Sequence, residues 1–565
     1  MTRPCMVLIE GMILIGVLSL LGSAVEARPL SQTRHNLSAS GPGTVKTLSE
    51  KSMCHFCHSP HRVGQSRPLW NKDLPEIIYT TYRSSSLKAA VGQPNGVSKL
   101  CLSCHDGTIA LVQKPGGKKG LDYAEGVMRM PTGRSNLGTD LSDDHPVSFL
   151  YDNTLAMKNG QLEHPLGLRR SVRLDAFGQL QCTSCHNPHD DQYGKFLAVG
   201  NEFSALCTSC HKKTGWQGSV HQMSNANWNG VAPDPWPHTS YTTVSSNGCE
   251  NCHRPHTAGG GERLLNYATE EQNCFPCHNG NVASKKVQRE FTKPSRHPIE
   301  TTRGVHEAVE DPLWAPRHVE CVDCHNPHAA NASPASPPQA SGSLAQVAGI
   351  SSSGATVIPL VYEYQLCYRC HGDNPGSRPP VVARVIYERN LRQKFKASNM
   401  SYHPVEVVGK NPDIPSLLVP YTTSSLIYCT DCHNSDSGPK AGGAGPNGPH
   451  GSMWTPILER QAATSDFTTE SPQAYALCYK CHNRNSILSD QSFSKHRLHI
   501  VDKQTPCTAC HDPHGTAMST HLINFDRTIV FSNNQGILRF EDRGRYMGAC
   551  YLKCHNINHN LKTYP

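Results

Sequence analysis

Hydrophobic positions are sparse along this chain and seldom periodic. One continuous apolar run stands out, residues 12–21, with Arg3 ahead of it and small residues behind. Val25-Glu26-Ala27 satisfies the −3/−1 rule of a secretory cleavage site, so residues 1–27 are predicted to be a signal peptide and the mature chain to begin at Arg28. No other segment approaches the roughly 20 apolar residues that span a bilayer, so no transmembrane anchor is expected after cleavage. Residues 381–396 predict a helix, with Val385, Ile386 and Leu391 set among charges. Residues 528–531 and 537–540 flank Ser532-Asn533-Asn534-Gln535-Gly536 and predict a hairpin. The remainder predicts a mostly irregular chain with short α-helices and a low content of secondary structure.

Composition explains the sparse pattern only in part. Apolar residues make up 37% of the 565, against 45 glycines and 41 prolines, which is thin for a conventional core of this length. Something other than polypeptide must supply apolar mass.

The cysteines say what it is. Twenty-four of the 25 fall into twelve motifs in which the second cysteine is followed at once by histidine. Eleven are C-x-x-C-H: Cys54/Cys57/His58, Cys101/Cys104/His105, Cys182/Cys185/His186, Cys207/Cys210/His211, Cys249/Cys252/His253, Cys274/Cys277/His278, Cys321/Cys324/His325, Cys367/Cys370/His371, Cys429/Cys432/His433, Cys478/Cys481/His482 and Cys507/Cys510/His511. The twelfth, Cys550/Cys554/His555, has one extra residue between its cysteines. C-x-x-C-H attaches c-type haem: both thiols become thioethers and the adjacent imidazole becomes the proximal iron ligand. A disulfide framework or a zinc ribbon leaves the histidines unexplained. The lone exception, Cys5, lies ahead of the predicted cleavage site. Twelve covalent haems c are therefore expected, with the polypeptide wrapped around a chain of macrocycles. Each ferric bis-histidine haem with two ionised propionates adds about −1, which cancels the formal +8 and removes any reason to expect nucleic-acid binding.

The remaining histidines carry a second layer of order. The motifs fall into six pairs, and the first member of five pairs continues as C-H-x-P-H, giving His61, His189, His256, His328 and His514. In the fifth pair, His433-Asn434 and Pro449-His450-Gly451 match the same element with residues 435–448 inserted, which adds His450. Two imidazoles clamping one iron place their Cα atoms on the order of 13 Å apart. Residues three apart span at most about 11 Å, so each of these histidines must serve a different haem from its own motif. The other six distal ligands should come from upstream of each pair. His145, His164, His297 and His403 each precede proline, which favours an extended presentation. His35, His238 and one of His496/His499, here taken as His499, complete the candidates. His55, inside the first motif, is not expected to be a ligand, and His221, His306, His318, His521 and His559 read as surface residues. No methionine repeats with the pairs, so bis-histidine ligation and low potentials are expected.

The stretches Cys54-His55-Phe56-Cys57-His58-Ser59-Pro60-His61, Pro68-Leu69-Trp70-Asn71, Cys101-Leu102-Ser103-Cys104-His105-Asp106-Gly107-Thr108 and Asp144-His145-Pro146-Val147 resemble the multihaem c-type cytochromes with doubled C-x-x-C-H motifs. That resemblance implies electron transfer rather than catalysis, in the envelope of anaerobically respiring bacteria and often towards extracellular acceptors such as metal oxides. It implies a periplasmic, extracellular or outer-membrane-associated location. The implied partners are other redox proteins of the envelope, an outer-membrane porin–cytochrome conduit, or further copies of the chain in a filament.

Residues 329–356 are rich in Ala, Ser, Pro and Gly and suggest a boundary: an amino-terminal lobe over 28–330 with seven motifs, a flexible linker or loop over 331–356, and a carboxy-terminal lobe over 357–565 with five. The function expected is electron transfer through twelve bis-histidine haems, and no catalytic residue is assigned. The alternative is a reductase of nitrogen or sulfur oxyanions, which needs one haem with an open iron position.

Overall fold

The computed structural model describes residues 28–58, 70–111, 129–299, 319–374 and 380–564. The predicted signal peptide and His61 lie outside them. The chain is 23% helical and 13% strand, and its regular elements are short enough that attachment motifs, not sheets or bundles, organise it.

Each of the eleven C-x-x-C-H motifs occupies one helical turn. In eight of them the histidine N–H donates to the carbonyl of the first cysteine, at 2.8 to 3.0 Å. The other three end longer helices, Gly96–His105, Glu270–His278 and Glu363–His371. The turn brings both cysteines to one side and sends the histidine off its end.

A return loop then closes on five of the six first motifs. Antiparallel bridges join His58 to Trp70, His186 to Leu197, His253 to Leu265 and His511 to Ile523. The fifth pair has the same bridge, His433 to Leu458, after a longer excursion. Within that excursion the Ser435 N–H donates to Gly448 O at 2.9 Å, so residues 435–448 form a closed insertion in a repeated element. The insertion is not free in solvent: Ser435 and Ser437 hydrogen-bond Glu290, and Asp436 pairs with Lys293 at 2.6 Å.

Apolar packing is broken into small clusters. The largest joins Ile350, Tyr364, Tyr368, Phe395, Tyr402 and Val405. Residues 329–356 take part in it, because strand Gly349–Ile350 pairs with Thr356–Val357 and Ile350 is 2% exposed. This stretch has the irregular course of a loop, with buried anchors at Ala329, Val347 and Ile350.

Two expectations fail. Of residues 381–396 only Leu391–Lys394 is helical. Arg384 instead bridges Asp526, the Val385 N–H donates to Phe525 O, and Asn390 caps the short helix that remains. Tertiary backbone bonds have overridden the local pattern. The predicted hairpin also does not form as such. The turn closes through Asn533 and Ile537, but Val530–Phe531 and Arg539–Asp542 both pair with strand Gly548–Cys554 rather than with each other. Strand Ile557–Tyr564 lies on that strand's other edge, completing a four-stranded sheet. No helix among the described residues is long and apolar enough to cross a membrane.

Candidate functional site

Eleven of the twelve motif histidines face a second imidazole. The pairs are His58 with His189, His105 with His35, His186 with His256, His211 with His145, His253 with His328, His278 with His221, His325 with His450, His371 with His297, His433 with His514, His482 with His403, and His511 with His496. Their ring centres lie between 6.0 and 6.5 Å apart. Two metal–nitrogen bonds near 2.0 Å, plus about 1.2 Å from each nitrogen to its ring centre, give about 6.4 Å. The spacing therefore fits one iron between each pair.

Burial favours the neutral imidazole, whose lone pair is free for a metal. It pushes His35, His278, His371, His482 and His496 down to about 4 and His211 and His450 to about 3; in each, the facing imidazole is the second cause.

The second nitrogen is fixed as well. Nδ1 of His105, His186, His253, His325, His433 and His511 bonds a backbone carbonyl in the return loop, at 2.7 to 3.1 Å. Among the facing imidazoles, Nδ1 of His221 bonds Pro327 O and Nδ1 of His297 bonds Pro449 O, both at 2.8 Å. His403 bonds Pro513 O, and His35 bonds the Pro188 backbone. Such outer partners set the tautomer and leave Nε2 to the metal. These prolines are the ones in the C-H-x-P-H elements. One Pro-His dipeptide thus supplies an imidazole to one site and orients the imidazole of the next.

The pairing follows a rule. The extra histidine of a first motif faces the histidine two motifs earlier, as His189 faces His58 and His514 faces His433. Second motifs face an upstream histidine, as His105 faces His35 and His482 faces His403. His511 is faced by His496, which lies upstream of it.

The structure departs from the expected set at three histidines. His221, read as a surface residue, faces His278, while His238 turns Nε2 to Glu250 O at 2.9 Å. His164 is exposed, and its Nδ1 accepts from the Leu166 N–H. His499 stacks on Phe493, three residues from the paired His496. The X-Pro cue had favoured His164. His221, followed by Gln222, carries no such cue.

The cysteines record how the sites adjoin; the 24 described ones form no disulfide. Thiol contacts join Cys101 to Cys182, Cys207 to Cys249, Cys274 to Cys321, Cys367 to Cys429 and Cys478 to Cys507. Between these, second cysteines come within electrostatic reach: Cys57 of Cys104, Cys185 of Cys210, Cys252 of Cys277, Cys324 of Cys370, Cys432 of Cys481, and Cys510 of Cys550 and Cys554. Contacts through first and second cysteines alternate, and each joins two motifs that are neighbours in sequence. The series runs unbroken across residues 331–356.

The twelfth motif does not share this geometry. Cys550 and Cys554 sit on an extended strand, and His555 Nε2 lies 2.9 and 3.0 Å from the two oxygens of Asp466. The residues of this motif, as folded, do not fit a haem c.

The doubled CXXCH motif family matches residues 176–215 and 242–283. The multihaem cytochrome MtrA of Shewanella baltica is 24% identical over 213 residues, covering 35% of this chain and 44% of that protein. The C-type polyhaem cytochrome OmcB of Geobacter sulfurreducens is 23% identical over 319 residues, covering 47% of this chain and 40% of that protein. The chain thus spans less than half the length of either relative. The attachment turns, the paired imidazoles and these likenesses together identify a multihaem c-type cytochrome.

Proposed function

We propose that this chain is an unbranched electron conduit, in which bis-histidine haems c are strung in sequence order from His58 to His511. Haem iron supplies reversible one-electron chemistry. The chain's own residues set the number, the order and the axial ligands of the irons. The order of cysteine contacts is the observation that carries this reading, because the contacts join each attachment site to the one before it and the one after it in the sequence. A catalytic multihaem protein needs an iron that substrate can reach, and all eleven helical-turn motifs have a second imidazole at iron-spanning distance.

The proposed setting is an exported protein of the cell envelope or its exterior, in anaerobic respiration. Redox proteins would then exchange electrons at the two ends, in an outer-membrane conduit or between stacked copies. Carbon monoxide tests the conduit reading against the reductase. The reduced holoprotein is expected to bind none, whereas stoichiometric binding at one haem, reversed by nitrite or hydroxylamine, favours the enzyme.

A further inference from the structure

Outside the paired imidazoles, the twelfth motif has the residues of a haem site and a different geometry. We infer that Cys550-x-x-x-Cys554-His555 is not a haem-attachment site in the folded protein but the edge of a hairpin that caps the eleventh site. The inference rests on the haem-conduit reading of the other motifs and restricts it to eleven.

Cys550 and Cys554 both lie on strand Gly548–Cys554, whose register shifts between Cys550 and Leu552, and at about 3.3 Å per residue their Cα atoms lie at most about 13 Å apart. On a helical turn the two cysteines rise only about 4.5 Å apart, which suits thioethers at neighbouring corners of one macrocycle.

The strand is also locked. Arg539–Asp542 and Val530–Phe531 pair along one edge and Ile557–Tyr564 along the other, so curling it into a turn would break ladders on both sides.

His555 is committed elsewhere. With Asn556 it forms the two-residue connection between strands, at φ values of 46 and 61, as a type I′ hairpin requires. Its ring stacks on Phe467 at 4.8 Å, and Asp466 holds the nitrogen that a metal would take. None of the described histidine rings faces it at the 6.0 to 6.5 Å of the other pairs. His499 lies within electrostatic reach of His555, but its ring stacks on Phe493.

The hairpin has a role in this form. Leu552 is buried in a cluster with Ala509 and Val530, and Cys510, Cys550 and Cys554 pack on it. The strand thus covers the turn that carries the eleventh site and closes the series of attachment contacts.

Intact mass of the denatured holoprotein, with free thiols alkylated, tests this directly. The expected result is the mature polypeptide plus eleven haems, with label on Cys550 and Cys554. The C550S/C554S variant should keep the same haem absorbance per polypeptide. Twelve haem masses, or loss of about one-twelfth of the absorbance in that variant, would overturn the inference and point to His499 as the missing ligand. A mass with no haem at all would instead defeat the conduit reading on which the inference rests.

Discussion

Nδ1 of His297 donates to the carbonyl oxygen of Pro449 at 2.8 Å, while the next residue, His450, faces His325 with ring centres 6.1 Å apart. Two axial imidazoles of neighbouring sites therefore hang on one dipeptide. The same bracket recurs at Pro327-His328 and Pro513-His514. It gives a physical reason for the repeated C-H-x-P-H element: the histidine acts at one iron and the proline carbonyl steadies the ligand of the next.

His450→Ala should leave the iron at His325 with one imidazole. The reduced variant is expected to bind carbon monoxide at a single haem, where the wild-type protein binds none. His297→Ala should do the same at His371, and the double variant should bind at two.

Ring orientation alternates over the first ten sites, and the eleventh, at 42°, lies between the two classes. Interplanar angles are 12°, 33°, 10°, 22° and 5° at the first, third, fifth, seventh and ninth sites. At the second, fourth, sixth, eighth and tenth they are 61°, 79°, 88°, 49° and 54°. Parallel imidazoles donate π density into one iron d orbital and split the d levels, whereas crossed imidazoles leave two nearly degenerate. The oxidised protein should show two low-spin ferric classes by electron paramagnetic resonance, one moderately and one strongly anisotropic, in comparable amounts. A single class would contradict the alternation.

Asp512, between His511 and Pro513, is buried against Lys394 at 2.8 Å and Arg384 at 3.9 Å. Asp512→Asn strands two buried cations and is expected to cost about 3–5 kcal/mol in denaturant titration. Lys440→Ala, which breaks a more exposed pair with Asp431, should cost about 1 kcal/mol or less.

Burial pushes the Glu270 carboxyl up to about 9. It accepts the Val322 N–H beside Cys321, at 2.7 Å. Its folded value lies above the unfolded 4.5, so the stability it contributes is full below that pH and is lost as pH rises towards 9. Glu270→Gln keeps the acceptor and removes the titration. Its Tm should gain on the wild type as pH rises from 5 to 8.

Much of the site could be read from sequence because covalent haem attachment fixes residue types at fixed spacing. His450 was legible for the same reason, since the matching element at His511 to His514 is uninterrupted. The upstream ligands were not. Nothing local separates His221 from His238, and only the tertiary position of Pro327 O decides between them. His496 and His499 share one turn, so the choice depends on which faces His511. The helix expected over 381–396 failed because residues 384–386 bond the backbone near Phe525, a contact about 140 residues away that periodicity cannot see. At Cys550 the motif was legible and its conformation was not, because strand pairing lies outside the motif.

Each pair of imidazoles is expected to hold one iron, in sequence order. A cryo-electron microscopy structure of the holoprotein tests it most directly. The account predicts an iron about 2 Å from both Nε2 atoms of every pair from His58/His189 to His511/His496, with each iron neighbouring only the one before it and the one after it in the sequence. An iron bound by a motif histidine with the partner named here more than about 4 Å away, or a branch in the order of irons, would contradict it.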